Sequence, residues 1–273
     1  MKKVFMFLFL FSFLIGFSNN AKAAPTEVNT VAELKNLVEN ATEDIEIKLG
    51  DSFPKDQDIT LEMNHFNLVK IDGNKENLTL NSEFTINLRK YHDEDMQQNL
   101  FEFENFHFDG QGKNDVGFSF GRFDDKVNHN ANFIHIRHAI FENSTDSIIT
   151  VKAPGVTQTR SLYISTLDLE IKNNKSNHAG AVFVDDHSSF SIHNSNIFNN
   201  VNASDEIGGG AISLIGSGTS LDLQYSRIEN NKLTGTAKTG KELGGGAVYH
   251  EDFDSGSTTS FFNICSVEFP HLL

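Results

Sequence analysis

The sequence predicts an all-β solenoid, a parallel β-helix entered through a short capping helix. Three observations carry that expectation: an Asn-containing turn that recurs along the chain, short apolar strands at a fixed distance before each turn, and no helical periodicity between them. The turn unit is an apolar residue, any residue, then Asn with Asn or Ser. It occurs as Phe141 to Ser144, Ile171 to Asn174, Ile197 to Asn200 and Ile228 to Asn231. Asn143, Asn173, Asn199 and Asn230 are spaced by 30, 26 and 31 residues. Phe108-Asp109-Gly110-Gln111 and Ile71-Asp72-Gly73-Asn74 are read as earlier copies of the same slot. Asn tolerates φ > 0, and stacked Asn amides can form a ladder along a solenoid, so Asn143, Asn173, Asn199 and Asn230 are expected to do both.

The elements follow in chain order. Residues 1–23 read as a secretory signal: Met1-Lys2-Lys3 is basic, Val4 to Phe17 is apolar, and Ala21-Lys22-Ala23 is an A-x-A cleavage site. The apolar run is too short to span a bilayer, which takes about 20 residues. Export to a secreted or cell-surface location is therefore expected. Residues 24–57 read as an N-terminal cap. Thr30 to Glu33 is a capping box opening an amphipathic stretch through Val31, Leu34, Leu37 and Val38, and Ile45 to Leu49 is a strand. A helix over the first coil would shield it from edge-to-edge pairing. Residues 58–273 read as the β-helix itself, six or seven coils with an incomplete last one. Thr259-Ser260-Phe261 opens a further arc that no Asn slot closes before Leu273. A shortened family member, or a module that pairs with another chain, is the expectation drawn from that ending.

Within the solenoid, Ile134/Ile136, Phe190/Ile192 and Leu221/Leu223 lie nine and seven residues before their Asn slots, so Ile134, Ile136, Ile192, Leu221 and Leu223 are expected inside. A second unit, Gly-Ala-Val/Ile, follows each slot at Ala181, Ala211 and Ala247. The distance from Asn to Ala grows from 8 to 12 to 17 residues, whereas that from Ala to the next Asn is 18 and then 19. One arc therefore reads as rigid and the other as tolerant of insertion. The lengthening loops Lys175–Gly180, Val201–Gly210 and Lys232–Gly246 are the expected binding surface, with Asp205, Glu206 and Glu242 beside Lys232, Lys238 and Lys241.

Composition narrows the function. A formal charge of −15 over 273 residues argues against nucleic acid as a partner, because phosphate binding needs clustered cations. A single cysteine, Cys265, excludes an intrachain disulfide framework. It is aligned with Tyr225, taken as an inward position, and so reads as a buried structural thiol. Phe is abundant, at 25 residues, and Trp is absent.

The order helix, Asp44 to Leu49, Val69 to Asn74 and Leu78 to Leu80 resembles the N-terminal region of pectate lyase-like adhesive domains of bacterial surfaces. The Gly-Gly-Ala-Ile/Val units with their Ile-x-x-Asn partners are similar to the repeats of polymorphic outer-membrane proteins. The resemblance covers roughly residues 28 to 265. It implies a right-handed parallel β-helix used for adhesion, with glycans or matrix proteins as partners.

The same fold hosts polysaccharide lyases and glycoside hydrolases, so a pectin- or uronan-directed enzyme is the rival reading. Polygalacturonase-like hydrolases carry four motifs, of which only Asp185-Asp186, followed by His187, has a counterpart here. Asp124-Asp125 is a second acidic pair. Arg137, flanked by His135 and His138, is the one basic residue placed where a lyase base would stand, with His193 and Gln224 at matching positions and no acidic cluster one coil away. Asp252 to Gly256 has alternating carboxylates but lacks the terminal Glu of a Ca²⁺ loop. The glycine runs at 208–210 and 244–246 open no helix, so they are not phosphate cradles. No catalytic, metal or cofactor residue is assigned from the sequence.

Overall fold

A computed structural model describes residues 24–63, 67–88, 100–122, 132–152, 162–185, 188–216, 218–238 and 243–251, with the strand Phe261–Cys265. The signal-like segment, Asp124-Asp125, Asp186-His187, Lys241-Glu242, Asp252 to Gly256 and Thr259-Ser260 lie outside them.

The chain is a parallel β-helix. Its strands form four all-parallel sheets of nine, five, seven and three strands. One coil shows the path. Leu162–Leu167 lies in the nine-stranded sheet, Glu170–Lys172 in the five-stranded, Lys175–Ser176 in the three-stranded and Val182–Asp185 in the seven-stranded. Ser188–His193 then returns to the first sheet one coil later. Alternation sets which residues turn inward, because successive side chains of a strand face opposite sides. Ile134 pairs with Ile164, Phe190 and Leu221 in successive coils, and Ile136 with Thr166, Ile192 and Leu223. The five residues expected inside are all buried.

The interior changes along the axis. The second to fourth coils are filled by Phe84, Phe103, Phe106, Phe108, Phe118 and Phe141. Phe106, Phe108 and Phe141 stack nearly parallel, at 5.6 and 5.4 Å between centroids. Later coils use mostly Ile, Leu and Val at the same register, with Phe190 and Thr166 among them. Each fully buried Phe or Ile contributes on the order of 1.5–3 kcal/mol.

Two corners of each later coil carry a residue at φ > 0. Between the nine- and five-stranded sheets these are Asn105, His138, Asp168, Asn194 and Tyr225. After the five-stranded sheet they are Asn143, Asn173, Asn199 and Asn230. The residue that follows is buried and makes the ladder. The Asn174 and Asn200 side chains donate to Asn200 and Asn231 of the next coil at 2.9 Å each. At the other corner, Ser195 Oγ accepts from Leu169 N and Ser226 Oγ from Ser195 N. The expectation that one Asn would supply both the turn and the ladder is thus corrected: the first Asn takes the strained backbone and the second makes the bonds. A lone side chain at φ > 0 points to solvent, so Asn173, Asn199 and Asn230 are exposed while Asn174 and Asn200 are buried. Ile71 to Asn74 is also reassigned. Ile71 pairs with Phe103 in the nine-stranded sheet, so Asn74 turns the first corner rather than the Asn143 corner.

The helix α1, Val31–Glu39, starts at a capping box in which Thr30 Oγ1 accepts from Glu33 N at 3.2 Å. It packs on Ile59–Met63 and Thr26–Val28, the terminal strands of the seven- and nine-stranded sheets. Glu39 Oε1 accepts from Glu62 N at 3.2 Å, which occupies a donor on the open edge. Thr26–Val28 and Ile45–Leu49 already pair in parallel within the nine-stranded sheet.

Insertions are not confined to one arc. The connections 89–99, 123–131 and 153–161, between the seven- and nine-stranded sheets, are long, those at 186–187 and 216–219 are short, and the last, 252–260, is long again. The rigid arc expected from Ala181 and Ala211 therefore holds only for the two coils with the short connections.

Candidate functional site

The outer face of the nine-stranded sheet presents side chains in columns, one residue per coil. One column runs Leu100, Phe133, Tyr163, Ser189, Ser220. Its neighbour runs Lys70, Glu102, His135, Ser165, Ser191, Asp222. A third runs Glu104, Arg137, Leu167, His193, Gln224. The face changes character along the axis.

Its first coils are ionic. Lys70 Nζ lies 2.7 Å from Glu104, and Arg137 Nη2 lies 3.8 Å from Glu102. The hydrogen bond to Glu104 holds the Lys70 ammonium above its ordinary pKa despite partial desolvation. This corrects the reading of Arg137. Carboxylates do stand one coil away, on the N-terminal side, and Glu102 engages the guanidinium as a charge partner. An arginine so held stays a cation and is engaged as a charge partner.

Toward the middle of the sheet the first column turns aromatic and then hydroxylic. Phe133 and Tyr163 stack across adjacent strands with centroids 5.2 Å apart and planes 16° apart. Both are half-buried on an outward face. They form the floor of a groove of about 440 Å³ walled by Ser165, Ser189, Ser191 and Ser220, with His135 and Asp222 at its sides. Burial, then the nearby Arg137 charge, pushes the His135 imidazole below its usual pKa, so it stands neutral. Ser220 Oγ donates to Ser189 Oγ at 2.7 Å, and Ser191 Oγ lies 3.0 Å from His193 Nε2. Asp222 Oδ2 accepts from Gln224 Nε2 at 2.8 Å, while Asp222 Oδ1 is buried without a partner. An aromatic floor with hydroxyl walls and one under-used carboxylate can stack on an apolar ring face and exchange hydrogen bonds with hydroxyl groups around it.

The other residues singled out from sequence lie elsewhere. His138 is at a corner, its Nδ1 3.1 Å from Asp168. Asp185 pairs with Ile215 at the end of its strand in the seven-stranded sheet. The register places Cys265 opposite Gln224 rather than Tyr225, and Tyr225 is 67% exposed rather than inward. The alignment is one residue out because it equates Thr259-Ser260 with Thr219-Ser220, whereas Ser220 pairs with Phe261. Among the described residues no group of three or more His, Cys, Asp and Glu is disposed to hold a metal ion.

The loops expected to bind are stacked on one another. Ala203 N donates to Ser176 O at 2.8 Å and Thr234 N to Asn202 O at 2.7 Å, continuing the three-stranded sheet into the insertions. Lys238 bridges to Asp205 at 3.3 Å and is also bonded to Glu206, contacts that raise its pKa. The glycine runs stack as well. Gly209 N and Gly210 N donate to Gly244 O and Gly245 O, and a Cβ on Gly210 would fall 2.1 Å from Gly246 O. Their glycines serve close approach of coils.

One polar set escaped the sequence reading. Thr79 Oγ1, His107 and Glu142 form a chain at 3.2 and 2.9 Å, and Glu142 is shared with Lys172 at 3.4 Å. It ties successive coils of the five-stranded sheet. Residues so far apart in sequence gave no local signal. The Phe133–Tyr163 stack was readable only once the coils had been registered. No family model, no curated protein and no solved structure matches the chain.

Proposed function

We propose that this protein is a secreted or cell-surface adhesive β-helix that binds glycan along the outer face of its nine-stranded sheet and does not cleave it. The observation that carries this reading is the Phe133–Tyr163 stack, placed on an outward face and walled by serine hydroxyls. Aromatic rings at solvent-facing positions carry an apolar area that a ligand can cover, and hydroxyl walls give orientation without charge. The resemblance to pectate lyase-like adhesive domains and to polymorphic outer-membrane repeats supports the same class, and the N-terminal signal-like segment supports export. The ion pairs beside Arg137 favour a binding role over lyase chemistry, since they engage the basic group such chemistry would use.

The test is a glycan and host-matrix array probed with the wild-type protein and with Phe133→Ala/Tyr163→Ala. Glycan signals present in wild type and lost in the double variant are expected. Incubation with a panel of uronic-acid polysaccharides, with and without Ca²⁺, tests the rival. Release of unsaturated or reducing ends above a blank would overturn the adhesive reading.

A further inference from the structure

The corner between the nine- and five-stranded sheets is turned at φ > 0 by Asn105, His138, Asp168 and Asn194, and in the next coil by Tyr225 at φ 51°. Asn, Asp and His are the side chains that tolerate this conformation, whereas a bulky aromatic there is an outlier. Tyr225 is also 67% exposed, and its hydroxyl has no hydrogen-bond partner among the described residues. A strained, exposed aromatic contributes nothing to packing, and such outliers cluster at ligand sites. It stands over a groove of about 740 Å³ that runs along the corner past Asp168, Glu170, Asn194, Asn196 and Arg227.

We infer that this groove is a binding site for an uncharged sugar ring, with Tyr225 as its stacking platform. The charged groups lining it are already engaged within the fold, Lys75 through a hydrogen bond from its Nζ to His138 O at 2.9 Å rather than through a carboxylate. Asp168 is engaged by His138 at 3.1 Å and by Asn194, Arg227 by Glu229 at 2.8 Å, and Glu170 by Lys172. A charged ligand would compete with these contacts, and an uncharged one leaves them in place. The Asn196 side chain is exposed and uses neither its donors nor its acceptor among the described residues, so it can pair with vicinal hydroxyls. The site shares no aromatic residue with the Phe133–Tyr163 platform and stands or falls separately from it.

The experiment titrates the full chain with maltohexaose, cellohexaose and chitohexaose, followed by saturation-transfer NMR, with a galacturonate hexamer as the charged comparison. Wild type is expected to bind at least one neutral hexamer, and Tyr225→Phe to bind within about threefold of it. Tyr225→Asn restores the residue type of the other coils. It should melt no lower than wild type while losing at least about tenfold in affinity. No binding of any neutral hexamer by wild type, or undiminished binding by Tyr225→Asn, overturns the inference. Loss only in Phe133→Ala/Tyr163→Ala also overturns it and leaves the sheet-face reading standing, whereas loss only in Tyr225→Asn supports it and removes the sheet-face site.

Discussion

Asn200 Oδ1 accepts both the backbone N–H and the side-chain amide of Asn174, at 3.0 and 2.9 Å. Its own Nδ2 donates to Ile171 O at 3.1 Å and to Asn231 Oδ1 at 2.9 Å. Every hydrogen-bonding valence of this buried amide is therefore used, and each bond spans two coils. Truncation leaves several buried partners unsatisfied at once.

Asn200→Ala is accordingly expected to cost roughly 3 kcal/mol, since each stranded buried group costs about 1–3 kcal/mol. Asn199→Ala removes only an exposed side chain from a φ 57° position and should cost about 1–2 kcal/mol. Urea unfolding of the two variants decides the division of labour. Equal costs, or a larger cost at Asn199, would remove the ladder as the stabilising feature.

Phe118 sits at the centre of the aromatic interior, with ring centroids of Phe103, Phe106 and Phe108 at 4.8, 5.1 and 5.1 Å. Its replacement by Ala opens a cavity lined by rings that cannot collapse inward without breaking their own stacking. A loss of about 3–5 kcal/mol is expected for Phe118→Ala, and markedly less for Phe118→Leu. Chemical denaturation measures both, and a cost below about 1 kcal/mol for the alanine would mean that the coils relax far more freely than a packed core does.

Sequence made the solenoid legible where side-chain period and turn chemistry coincide. Ile134, Phe190 and Leu221 could be registered because each precedes its Asn slot by the same nine residues. The first corner was harder to read, because the backbone there accepts Asn, His, Asp and even Tyr, which share no side-chain pattern. Cys265 falls one residue out of register for a different reason: two Thr-Ser dipeptides, at 219–220 and 259–260, look equivalent but are offset by one, since Ser220 pairs with Phe261. The platform was invisible for a related reason. Phe133 and Tyr163 are 30 residues apart and each alternates correctly within its own strand, so only the coil-to-coil register brings them together. Polar pairs such as His107–Glu142 depend on the same register and gave no local cue.

Glu83 offers a pH test. Partial burial, followed by the Asp115 carboxylate, raises its pKa above 4.5. A raised carboxyl pKa means that the folded state holds the proton more tightly than the unfolded chain, so wild-type stability falls as pH rises from 4.5 through the folded value. Glu83→Gln keeps the neutral form at every pH. It should melt above wild type at neutral pH, with the gap closing as the pH is lowered below 4.5. Thermal melts of both proteins across that range test the sign, and a gap that widens on acidification contradicts it.

The last prediction concerns the character of binding at the sheet face. The groove over Phe133 and Tyr163 is walled by hydroxyls, and the ions of the first coils, Lys70 with Glu104 and Arg137 with Glu102, are paired within the sheet. Affinity for a neutral glycan should therefore hardly change with salt, since screening acts on unpaired charge. Because the His135 pKa is lowered from 6.5, its imidazole stays neutral as pH falls through that value, and binding should persist there. Tyr163→Phe keeps the ring stacked on Phe133 and should retain most of the affinity. Tyr163→Ala removes the stack and should lose about tenfold, in line with the roughly 0.5–1.5 kcal/mol an aromatic pair adds beyond its buried area. Its effect on folding should be small, because the side chain already faces outward. Titrations at low and high salt with all three proteins give a direct answer. A steep fall in wild-type affinity with salt, together with full binding by Tyr163→Ala, would shift the contact to the ion ladder of Lys70, Glu104 and Arg137 and end the case for the aromatic platform.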